Sequence, residues 1–66
     1  MQTMKYKYLI KYEFFQKDEP MKIGETVCYT CSSIMTPTIR SKWRDEIAKV
    51  NNGEIVIKSW KYIGTV

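Results

Sequence analysis

Histidine is absent from this chain, and that absence narrows the chemistry first. Without it the usual proton shuttle near neutral pH is missing, and the four serines Ser32, Ser33, Ser41 and Ser59 have no imidazole to activate them. Glycine and proline are scarce, at 3 and 2 residues, so there is no glycine-rich phosphate loop and no proline-rich linker. The 2 cysteines are too few for a disulfide scaffold. The longest N-terminal apolar run is Tyr8-Leu9-Ile10, flanked by lysines, far short of a signal peptide core or a membrane span. The basic residues are scattered and never form a polybasic run.

What remains suits one small cytoplasmic domain over residues 1–66. Hydrophobic residues make up 44% of the chain, which argues against disorder. A domain of this size rarely exceeds about 3–5 kcal/mol of stability from its core alone, and oligomerisation is a common supplement. The 11 basic residues against 7 acidic ones give +4, a mild excess that favours an anionic partner without requiring one. Met1 to Thr3 read as an alternative start or a leftover ahead of Met4.

One stretch, Thr36 to Gly53, carries a helical period. Ile39, Trp43, Ile47 and Val50 recur on one face, with charged residues around the rest. Thr36 suits the N-cap and Pro37 the first helical position, where a missing N–H costs nothing. Gly53 offers a left-handed stop.

The rest alternates as strands do. Tyr6, Tyr8, Ile10, Tyr12 and Phe14 point one way, and Lys5, Lys7, Leu9, Lys11, Glu13 and Phe15 the other. A polar turn ending at Pro20 leads to a second strand from about Ile23 to Cys31, with a bulge expected at Gly24. Glu54 to Gly64 supplies a third strand. The order strand, strand, helix, strand predicts an α+β fold: a three-stranded antiparallel sheet of order 2-1-3 with one helix on one face. The expected core is Tyr8, Ile10, Tyr12, Ile39, Trp43, Ile47, Val50, Ile55 and Ile57.

Cys28-Tyr29-Thr30-Cys31 spells C-x-x-C, but residues three apart in a strand point to opposite faces, so the two sulfurs cannot meet. Two cysteines without histidine do not complete a structural zinc site within one chain. No carboxylate sits in an apolar setting that would suit acid catalysis. The reading is non-enzymatic, with no cofactor.

A single helix covers one side of a three-stranded sheet, so the other side stays open. Alternation of the first strand puts Leu9, Lys11 and Phe15 on that open side, and strict alternation of the third adds Val56, Lys58, Trp60 and Tyr62. Apolar surface ringed by charge is a typical interaction site, and Trp and Tyr often dominate binding energy. A bulge near Lys58-Ser59 would instead turn Trp60 and Tyr62 back under the helix.

Tyr8-Leu9-Ile10-Lys11-Tyr12, Gly24, Thr36 with Ile39 and Ile47, and Ile55-Val56-Ile57 together give the chain a pattern that resembles a loose class of very small phage and mobile-element proteins. The resemblance implies an accessory protein that works by binding, such as one that inhibits a host or defence complex. A protein partner, a second copy of the chain (a homodimer), or both are the expected occupants of the open side. Two alternatives are a nucleic-acid-binding module using the basic surface and a protein that traps a nucleotide signal between subunits.

Overall fold

The computed structural model describes residues 4–66; the Met1 to Thr3 segment lies outside the described residues. The chain forms β1 (Tyr6–Phe15), β2 (Lys22–Thr30), α1 (Pro37–Asn51) and β3 (Glu54–Thr65). The sheet order is β2-β1-β3, and both pairings are antiparallel. This is the α+β arrangement expected from the sequence, with one helix over one face of an open sheet.

Local chemistry sets the boundaries. Thr36 is the N-cap of α1: its backbone is extended at φ −123°, and its Oγ1 accepts from the Ile39 amide at 3.3 Å. Pro37 follows in the first turn. At the other end the left-handed residue is Asn52, with φ 55°, rather than Gly53. Asparagine tolerates that region because its short amide can bond locally. Gly53 serves a different need. The Phe14 ring and the Phe15 carbonyl press against it, and a Cβ there would sit 2.9 Å from the Phe15 oxygen. The β1–β2 turn uses another polar residue in the left-handed region, Asp18, at φ 65°.

The core is small and lies between α1 and the β1–β3 side of the sheet. Tyr8, Ile10, Trp43, Ile47 and Ile55 are buried, with Ile10 fully enclosed. Tyr12, Ile39 and Ile57 are partly buried against them. Trp43 and Tyr8 stack with ring centroids 5.6 Å apart in a tilted geometry. Val50, expected in the core, is 84% exposed. In the last turn the residues that approach the sheet are Ile47, Ala48 and Asn51. The buried arc has moved round the helix toward β3, which leaves Val50 facing water.

One expectation about irregularity changes, and the alternative of a bulge near Lys58-Ser59 is the one found. β1 and β2 pair without any register shift, from Tyr6↔Thr30 to Phe14↔Lys22. Gly24 therefore marks no bulge. It makes room for Tyr12, whose ring would lie 2.5 Å from a Cβ at that position. The irregularities lie in β3 instead. Lys11 pairs with Ser59 but Tyr12 with Ile57, which leaves Lys58 extra. Lys7 pairs with Gly64 but Tyr8 with Tyr62, which leaves Ile63 extra. At the far end Lys5 and Val66 exchange both backbone hydrogen bonds, at 3.2 and 2.8 Å.

Candidate interaction surface

Residues directly opposite in an antiparallel pair share a face. The register thus sorts every strand residue. The bulge at Lys58 keeps Ile55 and Ile57 facing α1 and then brings Trp60 and Tyr62 to the same side, opposite Ile10 and Tyr8. Trp60 and Tyr62 do not belong to the open face, contrary to the strict alternation of the sequence. A one-residue insertion reverses the facing of everything after it, and by the reversal Tyr62 gains Tyr6 and Tyr8 as neighbours and Trp60 gains Arg40. Arg40 stands 4.0 Å from the Trp60 ring centre, and Tyr62 packs edge-on to Tyr8 at 5.8 Å. Both remain partly wet, at 41% and 51% exposure, because α1 ends its cover before them.

The open face keeps Leu9, Lys11, Phe15 and Val56, as expected. Lys58, in the bulge, reaches Glu13 on that face at 4.0 Å. The sequence reading missed what β2 adds. Leu9 faces Val27, Lys7 faces Tyr29, and Glu13 faces Ile23. The apolar side of β2 therefore points away from the helix, with Ile23 76%, Val27 39% and Tyr29 49% exposed. Its smaller side, with Gly24, Thr26, Cys28 and Thr30, lies on the helix face. The signal was present in the alternation of β2. Using it required the hairpin register, which depends on the turn rather than on the strand.

Charges are interleaved with these apolar groups. Lys11 meets Glu25 at 3.8 Å and Lys58 meets Glu13 at 4.0 Å, both across strands on the open face. All four side chains are partly solvated, so each pair contributes little to stability, of order 0–1 kcal/mol. Their effect is on what the face can accept: apolar contact down the middle, mixed charge between.

On the other side, α1 and β3 bound an open groove of about 570 Å³, with Arg40, Arg44, Ala48, Ile55 and Trp60 among its walls. Arg44 is engaged by Asp45 at 3.3 Å, and Arg40 by Trp60. The two cysteines are free thiols: Cys28 half-buried on the helix face, Cys31 exposed beyond the end of β2. Burial, and then the nearby Glu46 carboxylate, push the Cys28 thiol above its ordinary value. Among the described residues no group of three or more His, Cys, Asp or Glu side chains is placed to hold a metal ion. Nor is any described helix long and apolar enough to cross a membrane.

No protein family, curated protein or solved structure matches the chain.

Proposed function

We propose that this is a small non-enzymatic binding protein of the cytoplasm whose working surface is the open sheet face. The observation that carries this reading is the orientation of β2, which turns Ile23, Val27 and Tyr29 away from α1. Placing three large apolar residues in water is unfavourable unless something covers them. Leu9, Val56 and Phe15 extend the same surface across β1 and β3. The occupants are a protein partner and a second copy of the chain. The lysines around the apolar groups steer an anionic partner more than they hold it. The resemblance to very small phage and mobile-element proteins makes a host or defence complex the partner of choice, with inhibition as the outcome of binding.

A second reading is single-stranded nucleic acid. It gains one observation: Tyr29 shares the open face with its register partner Lys7, so an aromatic and a lysine stand together there. The two readings separate on one experiment. The tagged chain and its Val56→Lys variant are used to capture material from host extract. A stoichiometric protein partner that is retained by the parent chain and lost by Val56→Lys supports the protein reading. Capture unaffected by Val56→Lys, or no protein captured, sinks it. Retention of RNA or DNA that falls steeply with salt would establish the second reading, because counterion release makes such affinity strongly salt-dependent.

A further inference from the structure

Among the described residues the sheet has two free edges, β2 and β3, and they are not alike. β3 carries an extra residue at Lys58 and another at Ile63. Each bulge bends the strand and disturbs the even row of outward N–H and C=O groups. Lysines at 58 and 61 add charge to the same edge. These are the devices by which sheets prevent another strand from joining. β2 has no bulge and no lysine past its first residue; its one mid-strand charge, Glu25, lies on the open face opposite Lys11. It runs nine residues in unbroken register with β1, with no proline and no bulge. Its only lysine, Lys22, is at the first position and held by Glu19 at 3.3 Å. The backbone groups on the outer side of β2 thus form a regular, unguarded row.

We propose that a second copy of this chain pairs antiparallel along β2, with Val27 on the twofold axis. This deepens the self-association in the reading above and does not depend on the identity of any other partner. The side chains select that register. With Val27 facing the partner's Val27, Thr26 faces the partner's Cys28, Glu25 the partner's Tyr29, and Gly24 the partner's Thr30. On the open face a continuous apolar row then forms, from Leu9 through Val27 and the partner's Val27 to the partner's Leu9. Glu25 and the partner's Tyr29 become cross-strand neighbours, so the phenol can donate to the carboxylate, and the contact occurs twice by symmetry. Moving the axis to Thr26 brings the two Glu25 side chains diagonally together across it, a like-charge contact. Moving it to Cys28 shortens the pairing and sets Glu25 against the partner's Cys31, which offers the carboxylate only a weak donor. On the helix side the seam is lined by small residues, Gly24, Thr26, Cys28 and Thr30, so nothing blocks approach. The product is a six-stranded sheet with both helices on one side and a doubled open face on the other. An unrelated strand would satisfy the backbone but would not supply the reciprocal Glu25 and Tyr29 pairs.

The test uses the purified chain alone, so it is independent of partner capture. Light scattering over a dilution series is expected to show a dimer dissociating at about micromolar concentration, as suits a small interface. In a Cys28→Ser, Cys31→Ser background, Val27→Cys is expected to form an interchain disulfide on mild oxidation, while Leu9→Cys is not. Tyr29→Phe should raise the dissociation constant at least about tenfold, from two lost hydrogen bonds in a partly solvated seam, each at the lower end of the net range, with the circular dichroism spectrum unchanged. Val27→Lys should be a folded monomer. If Val27→Lys fails to fold, Tyr29→Phe and the disulfide pair carry the test. A wild-type chain that stays monomeric up to about 100 times that concentration would overturn the proposal. So would a dimer that Tyr29→Phe leaves unchanged, or Leu9→Cys crosslinking as readily as Val27→Cys.

Discussion

The guanidinium of Arg40 stands 4.0 Å from the centre of the Trp60 ring, so a helix residue holds a strand residue that plain alternation would have pointed the other way. The contact is partly exposed, and a cation over an aromatic face in such a setting is worth about 0.5–1 kcal/mol. Arg40→Ala is expected to lower stability by that amount. The Trp60 emission should change at the same time, read in a Trp43→Phe background. An unchanged spectrum would show that the two side chains do not meet in solution.

Lys58 is the extra residue that brings Trp60 to this side. Deleting it leaves Ile57, Ser59 and Trp60 opposite Tyr12, Lys11 and Ile10, so the pairing becomes regular without changing any other partner. The deletion variant is therefore expected to fold, with a stability within about 1 kcal/mol of the parent, having lost one solvated pair with Glu13. Loss of cooperative unfolding would mean that the bulge sits elsewhere.

The architecture was legible because each element carried its own period. Thr36, Pro37 and the Ile39–Trp43–Ile47 spacing are local signals, and Tyr6 to Phe15 alternates almost without a break, Leu9 and Phe15 being the exceptions. The site was half legible for the converse reason. The facing of Trp60 and Tyr62 depends on a single inserted residue, and nothing in Ile57-Lys58-Ser59-Trp60 decides alone whether the strand stays regular. The facing of Ile23, Val27 and Tyr29 depends on how Gln16 to Pro20 closes the hairpin. Val50 has the right spacing for the core, yet the helix turns its Ala48 and Asn51 side to the sheet there. Side chains whose environment depends on one register step, or on the lean of one helix, are the ones that periodicity misplaces.

Trp43 is 4% exposed and anchors the whole helix stripe against Tyr8. Trp43→Ala removes about 3–5 kcal/mol, comparable to the total expected of a core-only domain this small. Thermal unfolding of that variant should lose its cooperative transition. A sharp melt close to that of the parent would place Trp43 outside the core.

The glycines at 24 and 53 are expected to differ in their tolerance of alanine. At Gly24 the obstacle is the far end of the Tyr12 side chain, which can swing aside. At Gly53 it includes the Phe15 backbone oxygen at 2.9 Å, which cannot move without disturbing β1. Gly53→Ala should cost about 1–3 kcal/mol, the range for overpacking, and Gly24→Ala less. Equal effects in denaturant titrations would contradict the two environments.

The two thiols should react at separable rates. Cys31 is exposed, whereas Cys28 is half-buried and held protonated by burial and by Glu46. A thiol reagent at pH 8 should consume Cys31 first, with Cys28 following slowly. The same shift has a stability consequence of known sign. The folded state keeps the Cys28 proton to higher pH than the unfolded chain does, so its contribution is fully present below about pH 9 and is lost as the pH rises beyond it. Cys28→Ser should flatten that alkaline decline. Simultaneous labelling of both cysteines in the folded protein would show that Cys28 is not shielded.

The mutual hydrogen bonds of Lys5 and Val66 set two distant points of the chain side by side, while the hairpin turn at Lys17 to Glu19 lies at the opposite end of β1. The covalent order of the strands is then separable from their arrangement in space. A short flexible linker from Val66 to Lys5, with the chain opened at Lys17-Asp18, would yield a circular permutant in which every pairing of the sheet is kept and only the β1–β2 hairpin is no longer local. Its equilibrium stability should stay close to that of the parent, while its folding slows because β1 and β2 must now meet across α1 and β3. The same adjacency means that any domain joined through either of these residues leaves from one corner of the sheet.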